Sequence, residues 1–533
     1  MGIAITTGTH RQDFAGSGPA NTGRVRCPMQ PQPLPGGLRD QLNSDDNNLA
    51  LNPGGLTIRD TPMGSATDSL QGGGSVLGQS ASHGEVHWVQ KALKWASVIP
   101  VLMALYFYLT YVQHAWFFQD DFKFIQLYGS SPRYDQLSDV TSNLGRFISR
   151  NLYWNVSWQL FGGRSEFYFL VNFATILVTT WLIFKIYSQR EGRYGGAISG
   201  LAYICSPAVL FSYTWLSNSQ HLLGHLFVFL FVWLYLASGI KISGKMQTSK
   251  GIWLLTIFLC GLLSNVFVGL VLSLPILFAT LSPSVRRSWS HWLWLAVAST
   301  AFFVLAFKLR VKSTGPYAMQ IDMDTLQANV SFYFLSPWIG LLWCLVTGTG
   351  IVAALRLKDI FLLWMFLASP VFLIPYIFLE HQRYLNYGAL TYLFLFLGLW
   401  SLLYRIVKPQ HVRYIFAVGA IISVVSTSIV VKFIDHFGAR PVGANQRVQV
   451  ETLNRFNSSH AQSYNHYCFR VHNSNQPRSS VAEWNIPWAW GWLESGKAFT
   501  IFVDRTKTYE LAMDDVKCDI IIPILDNSLI IPD

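Results

Sequence analysis

Asp120 and Asp121 stand side by side in Trp116-Phe117-Phe118-Gln119-Asp120-Asp121-Phe122, just past the first long apolar run. Burial among aromatic side chains and like-charge repulsion both work against ionising the two acids together. A carboxylate held that way can accept a proton from a hydroxyl group as a general base. The same residue type is also a preferred helix N-cap, and a cap occupies one carboxylate while leaving its neighbour free. Downstream, Arg146 and Arg150 in Leu144-Gly145-Arg146-Phe147-Ile148-Ser149-Arg150 are four residues apart and share a helix face. With Trp154 and Trp158 they suit an interfacial amphipathic helix. Its arginines would either grip a phosphate in bidentate fashion or anchor in lipid headgroups.

Other basic and hydrogen-bonding groups gather at later positions. Lys308, Arg310 and Lys312 form a cationic cluster, and Glu380-His381-Gln382-Arg383-Tyr384 places Arg383 beside His381 and Tyr384. Either group can stabilise charge on a phosphate leaving group, although Lys and Arg also snorkel at helix ends. His221 and His225 lie one helical turn apart. With no third ligand in the pattern, hydrogen bonding suits them better than metal coordination. No Cys-x-x-Cys or His-x-x-x-His set with partners suggests a metal site. A divalent metal is left open, and no cofactor is required. Trp484-Asn485-Ile486-Pro487-Trp488-Ala489-Trp490-Gly491-Trp492 suits sugar stacking or an interfacial belt.

These residues must be positioned by membrane helices. The 533 residues are 51% hydrophobic, 15% aromatic and only 13% charged, about half the charge of soluble domains, and mean hydropathy is +0.31. The net charge of +11 reflects basic loops on one membrane face rather than nucleic-acid binding, because no basic stripe carries interleaved aromatics. Apolar stretches of spanning length fall at 97–113, 167–187, 196–214, 222–240, 291–309, 334–355, 360–379, 386–404 and 413–432. The stretch 252–281 is too long for one span, and basic loops flank both its ends (Lys241, Lys245 and Lys250; Arg286 and Arg287). It is therefore expected to be two short tilted helices turning near Ser264-Asn265.

The fold class is thus an all-α polytopic membrane protein with about eleven transmembrane helices and a small extracytoplasmic α/β C-terminal region. Lys91 and Lys94 place the N-terminus in the cytoplasm. Residues 1–85, rich in Gly, Ser, Pro, Asn and Gln, read as a disordered tail. The transmembrane domain runs over 86–432, with a long first external loop at 114–166. The extracytoplasmic region is 433–533, where 498–503 and 518–523 read as strands and Cys468 and Cys518 are placed to bridge if oxidised. Every candidate cluster then lies on the outer face, including Lys308, Arg310 and Lys312, which break the positive-inside bias.

An acidic pair in a long first external loop, about eleven spans and an Arg-Tyr in a late external loop resemble the GT-C superfamily of membrane glycosyltransferases. The similarity is to the protein O-mannosyltransferase and aminoarabinose transferase branch, and it covers about residues 95–405. In that branch the first loop carries Asp-Glu; here Asp120 matches the proposed base and Asp121 replaces Glu. The late motif His-Glu-Arg-Tyr-Leu-Pro corresponds to Glu380-His381-Gln382-Arg383-Tyr384-Leu385, with Asn386-Tyr387 where Pro is expected.

The resemblance implies transfer of a sugar from a polyprenyl-phosphate donor to a glycan, lipid or protein acceptor, with inversion. Asp120 or Asp121 would serve as base. Arg146, Arg150, His221, Lys308, Arg310, His381, Arg383 and Tyr384 would bind substrate or phosphate. Short loops without lumenal repeats suit a bacterial inner membrane. The rival expectations are a lipid-saccharide transporter or flippase and a non-catalytic envelope assembly protein.

Overall fold

Turn chemistry and helix pairing explain how the apolar runs become a bundle. The computed structural model describes residues 98–112, 116, 117, 121, 124, 125, 144–238, 246–308, 322–334, 336–379, 385–407, 411–437, 439–460, 464, 466–472, 498–504, 519–525, 528 and 529. In chain order the helices are α1 (Ile99–Val112), α2 (Tyr153–Phe161), α3 (Ser165–Ile204), α4 (Pro207–Ser212), α5 (Ser219–Ala237), α6 (Thr248–Ser264), α7 (Ser273–Leu281) and α8 (Pro283–Arg286). They continue as α9 (Trp289–Lys308), α10 (Met323–Phe334), α11 (Pro337–Arg356), α12 (Ile360–Ile377), α13 (Leu385–Ile406), α14 (Val412–Phe437) and α15 (Ala439–Ser459). Among the described residues six helices are long and apolar enough to cross a membrane.

Helix α3 is two arms, 165–191 and 193–204, meeting at Gly192, whose φ of 72° lies in the left-handed region that glycine enters without penalty. The arms double back on each other. A Cβ on Gly196 would sit 2.0 Å from Ser188 Oγ and 2.7 Å from the Phe184 carbonyl oxygen, and one on Gly200 would sit 3.2 Å from Thr180 Cγ2. Gly196 and Gly200 form the small-xxx-small spacing that lets helix backbones approach closely in lipid. Gly196→Val overpacks this seam and is expected to cost about 1–3 kcal/mol, read as a lower Tm and loss of a monodisperse peak after detergent extraction.

The stretch 252–281 breaks where the loop charges require. Helix α6 ends at Ser264, Asn265 is extended (φ −157°, ψ 116°), and a 3₁₀ segment, Val266–Leu272, leads into α7. Asn265 Oδ1 accepts from Phe267 N–H at 3.2 Å, capping the new segment. Helix α6, with 17 residues, is about 25 Å long, shorter than a bilayer's hydrocarbon core.

At one end of the bundle a charged knot ties α3, α12 and α13. Asp359 caps α12 through Phe361 N–H (3.0 Å) and Leu362 N–H (3.1 Å). Both of its carboxylate oxygens also accept from Arg190 Nη2, at 2.9 and 3.1 Å, and the carboxylate pairs with Arg405. Arg190 lies over the Phe361 ring at 4.4 Å, and buried Glu191 accepts from Ser401 Oγ. Because the Asp359 side chain is only 10% exposed, Asp359→Ala strands two guanidiniums. A loss of about 3–5 kcal/mol is expected, measured as thermal unfolding of the purified protein.

The C-terminal sheet has the order β2-β1-β3-β4, with β1 His466–His472, β2 Ala498–Asp504, β3 Ile520–Leu525 and β4 Ser528–Leu529. Strand β1 runs parallel to β2 and β3, and β4 is antiparallel to β3. Parallel strands are covered on both faces, and Tyr467, Cys468 and Phe469 are fully buried. Val450 and Leu453 of α15 join Tyr467, Phe469 and Ile522 in one cluster with Phe117, Trp154 and Tyr168. The sheet therefore packs onto the first loop. Cys468 is disulfide-bonded. Cys518, like residues 1–85 and Trp484–Trp492, lies outside the described residues.

Candidate active site

Helix α12 starts at the charged knot and ends at Ile377, and α13 starts at Leu385 and returns to the knot. Tyr376 and Tyr387 therefore meet at the opposite end of the bundle, with rings stacked at 4.7 Å and 18°. The first turn of α5 and the break at Asn265 reach the same place. Together His221, Gly224, His225, Asn265, Tyr376 and Tyr387 line a cavity. It is narrow, with a volume of about 20 Å³, and partly open to solvent. Gly224 permits the closure, because a Cβ there would sit 3.2 Å from Asn265 Cβ.

Both histidines face this cavity and are more than nine-tenths buried, at 5% and 3% exposure. Among the described residues His221 Nε2 and His225 Nδ1 have no hydrogen-bond partner. The His221 ring lies 5.2 Å from that of Tyr387. Among the described residues no group of three His, Cys, Asp or Glu side chains comes together.

The first loop delivers the arginines here. Residues Leu144–Arg146 form a 3₁₀ turn and Phe147–Leu152 a π-helical turn that runs into α2. The amphipathic pattern holds, but its polar side turns inward. Leu152, Val156 and Leu160 are exposed, while Ser149 and Asn151 are buried. Ser149 Oγ donates to the Ser264 carbonyl at 2.6 Å, fastening the turn to the helix break. Arg146 and Arg150 lie near enough to act electrostatically on His221, and Arg146 on Tyr376 as well. Arg150 also sits over the Phe124 ring at 4.8 Å.

Asp121 is fully buried beside this cluster. Its Oδ1 accepts from Ser217 N–H at 2.6 Å and from Ser217 Oγ, and its Oδ2 accepts from Leu216 N–H at 3.4 Å. It caps the 3₁₀ turn Leu216–Asn218 that opens α5, a helix distant in sequence. Tyr153 donates to Asn172 Oδ1 at 3.2 Å. Burial first, and then the Asp121 charge, hold the Tyr153 phenol above its ordinary pKa.

The structure thus brings together Arg146, Arg150 and His221. Asp121 lies next to them in a capping geometry. Asp120, Arg310, His381, Arg383 and Tyr384 lie outside the described residues. Lys308 ends α9, and its side chain is likewise outside them. The chain entering the late motif is held from the 310–333 segment, which folds in part as α10. Asn329 Nδ2 donates to the carbonyls of Ile377 (2.7 Å) and Leu379 (3.0 Å).

Asn265 was legible only as a turn, and His225 only as a partner of His221. Tyr376 sits in an apolar run with no local signal beyond Pro375 before it. No protein-family model, curated protein or solved structure matches this chain.

Proposed function

We propose that the chain is an integral-membrane glycosyltransferase that moves a sugar from a polyprenyl-phosphate donor to an acceptor on the extracytoplasmic face. The observation that carries this reading is the meeting of Arg146 and Arg150 with the His221 cavity. Two guanidiniums near a half-open cavity of hydrogen-bonding, aromatic and aliphatic groups suit a lipid phosphate carrying a sugar.

Loop charge assigns the cavity to the outside. Arg190, Arg405 and the other basic loops mark the knot end as cytoplasmic, and the cavity is at the other end. With α3 counted as two crossings and the α6–α7 hairpin as two more, the chain crosses about eleven times. The N-terminus is then cytoplasmic and the C-terminus extracytoplasmic, which suits a bacterial inner membrane.

In the proposed reaction Asp120 accepts the proton of the acceptor hydroxyl. The acceptor oxygen attacks the anomeric carbon from the face opposite the phosphate. The anomeric C–O bond breaks, its electron pair leaves with the lipid phosphate, and configuration inverts. Arg146 and Arg150 stabilise the charge developing on that phosphate. Arg383, Lys308 and Arg310 would add to that field, and His381 and Tyr384 would bond to the donor. Asp121 holds α5 in place.

The reading is tested with purified full-length protein in proteoliposomes containing synthetic polyprenyl-phosphate hexoses and an extract of envelope glycan. Release of polyprenyl phosphate that depends on the extract is expected. Movement of intact donor between leaflets without release would replace the transferase with the transporter.

A further inference from the structure

We infer that the elbow of α3 carries a separate lipid site, which holds the headgroup of an anionic glycerophospholipid of the cytoplasmic leaflet. The choice of leaflet rests on the loop charges at the knot end. The site itself does not depend on the transferase reading.

Beside Gly192, the side chains of Phe184, Lys185, Ser188, Gln189 and Arg193 line an open groove of about 520 Å³. That is the size of a ligand cleft, roughly 300–1,000 Å³. The cations of this groove are not spent on the protein. Arg190 is committed to Asp359, but among the described residues Lys185 and Arg193 pair with no carboxylate. The Lys185 ammonium lies over the Trp181 ring at 5.7 Å. Ser188 Oγ is buried, with no hydrogen-bond partner among the described residues. It and the Gln189 amide add uncharged donors, which the oxygens of a phosphate ester accept.

The adjoining surface identifies the occupant. Val178, Trp181, Lys185 and Gln189 are spaced to share one face of the first α3 arm, and all four are exposed. Val178 is 48% and Trp181 47% exposed, and Trp233 of α5 flanks Trp181 with ring centroids 5.9 Å apart. An apolar strip with a tryptophan of the kind found at membrane interfaces therefore runs straight into a cationic groove. Acyl chains lie along Val178 and Trp181 while the phosphate meets Lys185 and Arg193. A free anion would leave the strip uncovered, and an acidic peptide would have to enter hydrocarbon to reach it. Snorkelling accounts for a cation at a helix end, but not for a groove that also presents Ser188 and Gln189. Basic pockets at the cytoplasmic side of membrane helices recognise anionic headgroups in this way.

The test uses the purified full-length protein in detergent, with phosphatidylglycerol, phosphatidylcholine or inorganic phosphate added. Affinity is read from ligand-dependent thermal stabilisation. Phosphatidylglycerol is expected to bind about 30-fold tighter than phosphatidylcholine, and inorganic phosphate to give no shift. Lys185→Gln and Arg193→Gln each weaken phosphatidylglycerol about 5-fold, and the double variant brings it to the level of phosphatidylcholine. Each variant is compared with its own phosphatidylcholine value, so a general loss of stability cancels. Arg286→Gln, which removes an exposed cation from another basic loop, leaves the preference intact. Equal affinity for the two lipids overturns the inference. A preference that falls as much in Arg286→Gln as in Lys185→Gln also overturns it, by assigning the effect to the summed charge of the basic loops. Stabilisation by inorganic phosphate that matches phosphatidylglycerol overturns the lipid as occupant in favour of a soluble anion.

Discussion

Asp120→Asn lowers sugar transfer by about 10²–10⁴ and leaves the melting temperature near that of the wild type. Asp121→Asn does the reverse, lowering stability by about 1–3 kcal/mol. The division follows from what Asp121 already does. Its two oxygens take the backbone N–H groups of Ser217 and Leu216 and the Ser217 hydroxyl, so it has little left to offer a substrate proton. The Asn side chain can still accept from Ser217 but loses the charge that strengthens these bonds. The paired measurement is donor consumption and thermal unfolding for each variant. Full activity in Asp120→Asn would remove the general base from the account.

Arg146→Gln is expected to reduce kcat/KM by about 10²–10³, with most of the loss in kcat, since the phosphate gains charge as the glycosidic bond breaks. The Arg146 charge acts on both His221 and Tyr376, whereas Arg150 is also engaged with the Phe124 ring. Arg146→Lys recovers only part of the rate, because an ammonium lacks the planar fork. An effect confined to KM and equal for Lys and Gln would assign Arg146 to general lipid attraction instead of the leaving phosphate.

Much of the scaffold was legible because membrane helices announce themselves locally. Apolar length marks the runs, and loop charge fixed the turn at Ser264–Asn265. The apolar runs 498–503 and 518–523 marked two strands that the structure places at Ala498–Asp504 and Ile520–Leu525, but the central strand His466–His472 was not visible, since His, Arg and Cys interrupt it. Arg146, Arg150 and His221 were chosen for chemistry, and they meet. The role of Asp121 was only half legible: a cap was foreseen, but its partner at Ser217 is 96 residues away, a separation that no local pattern encodes. Tyr376 and the charged knot at Asp359 were hidden for the same reason, because each acquires its meaning from a neighbouring helix.

The most direct measurement is a structure of the reconstituted protein with a nonhydrolysable polyprenyl-phosphonate hexose bound. The account predicts the phosphonate beside Arg146 and Arg150, with the sugar at the mouth of the cavity lined by His221, Tyr376 and Tyr387. A headgroup bound elsewhere, with this cavity unchanged, would contradict it.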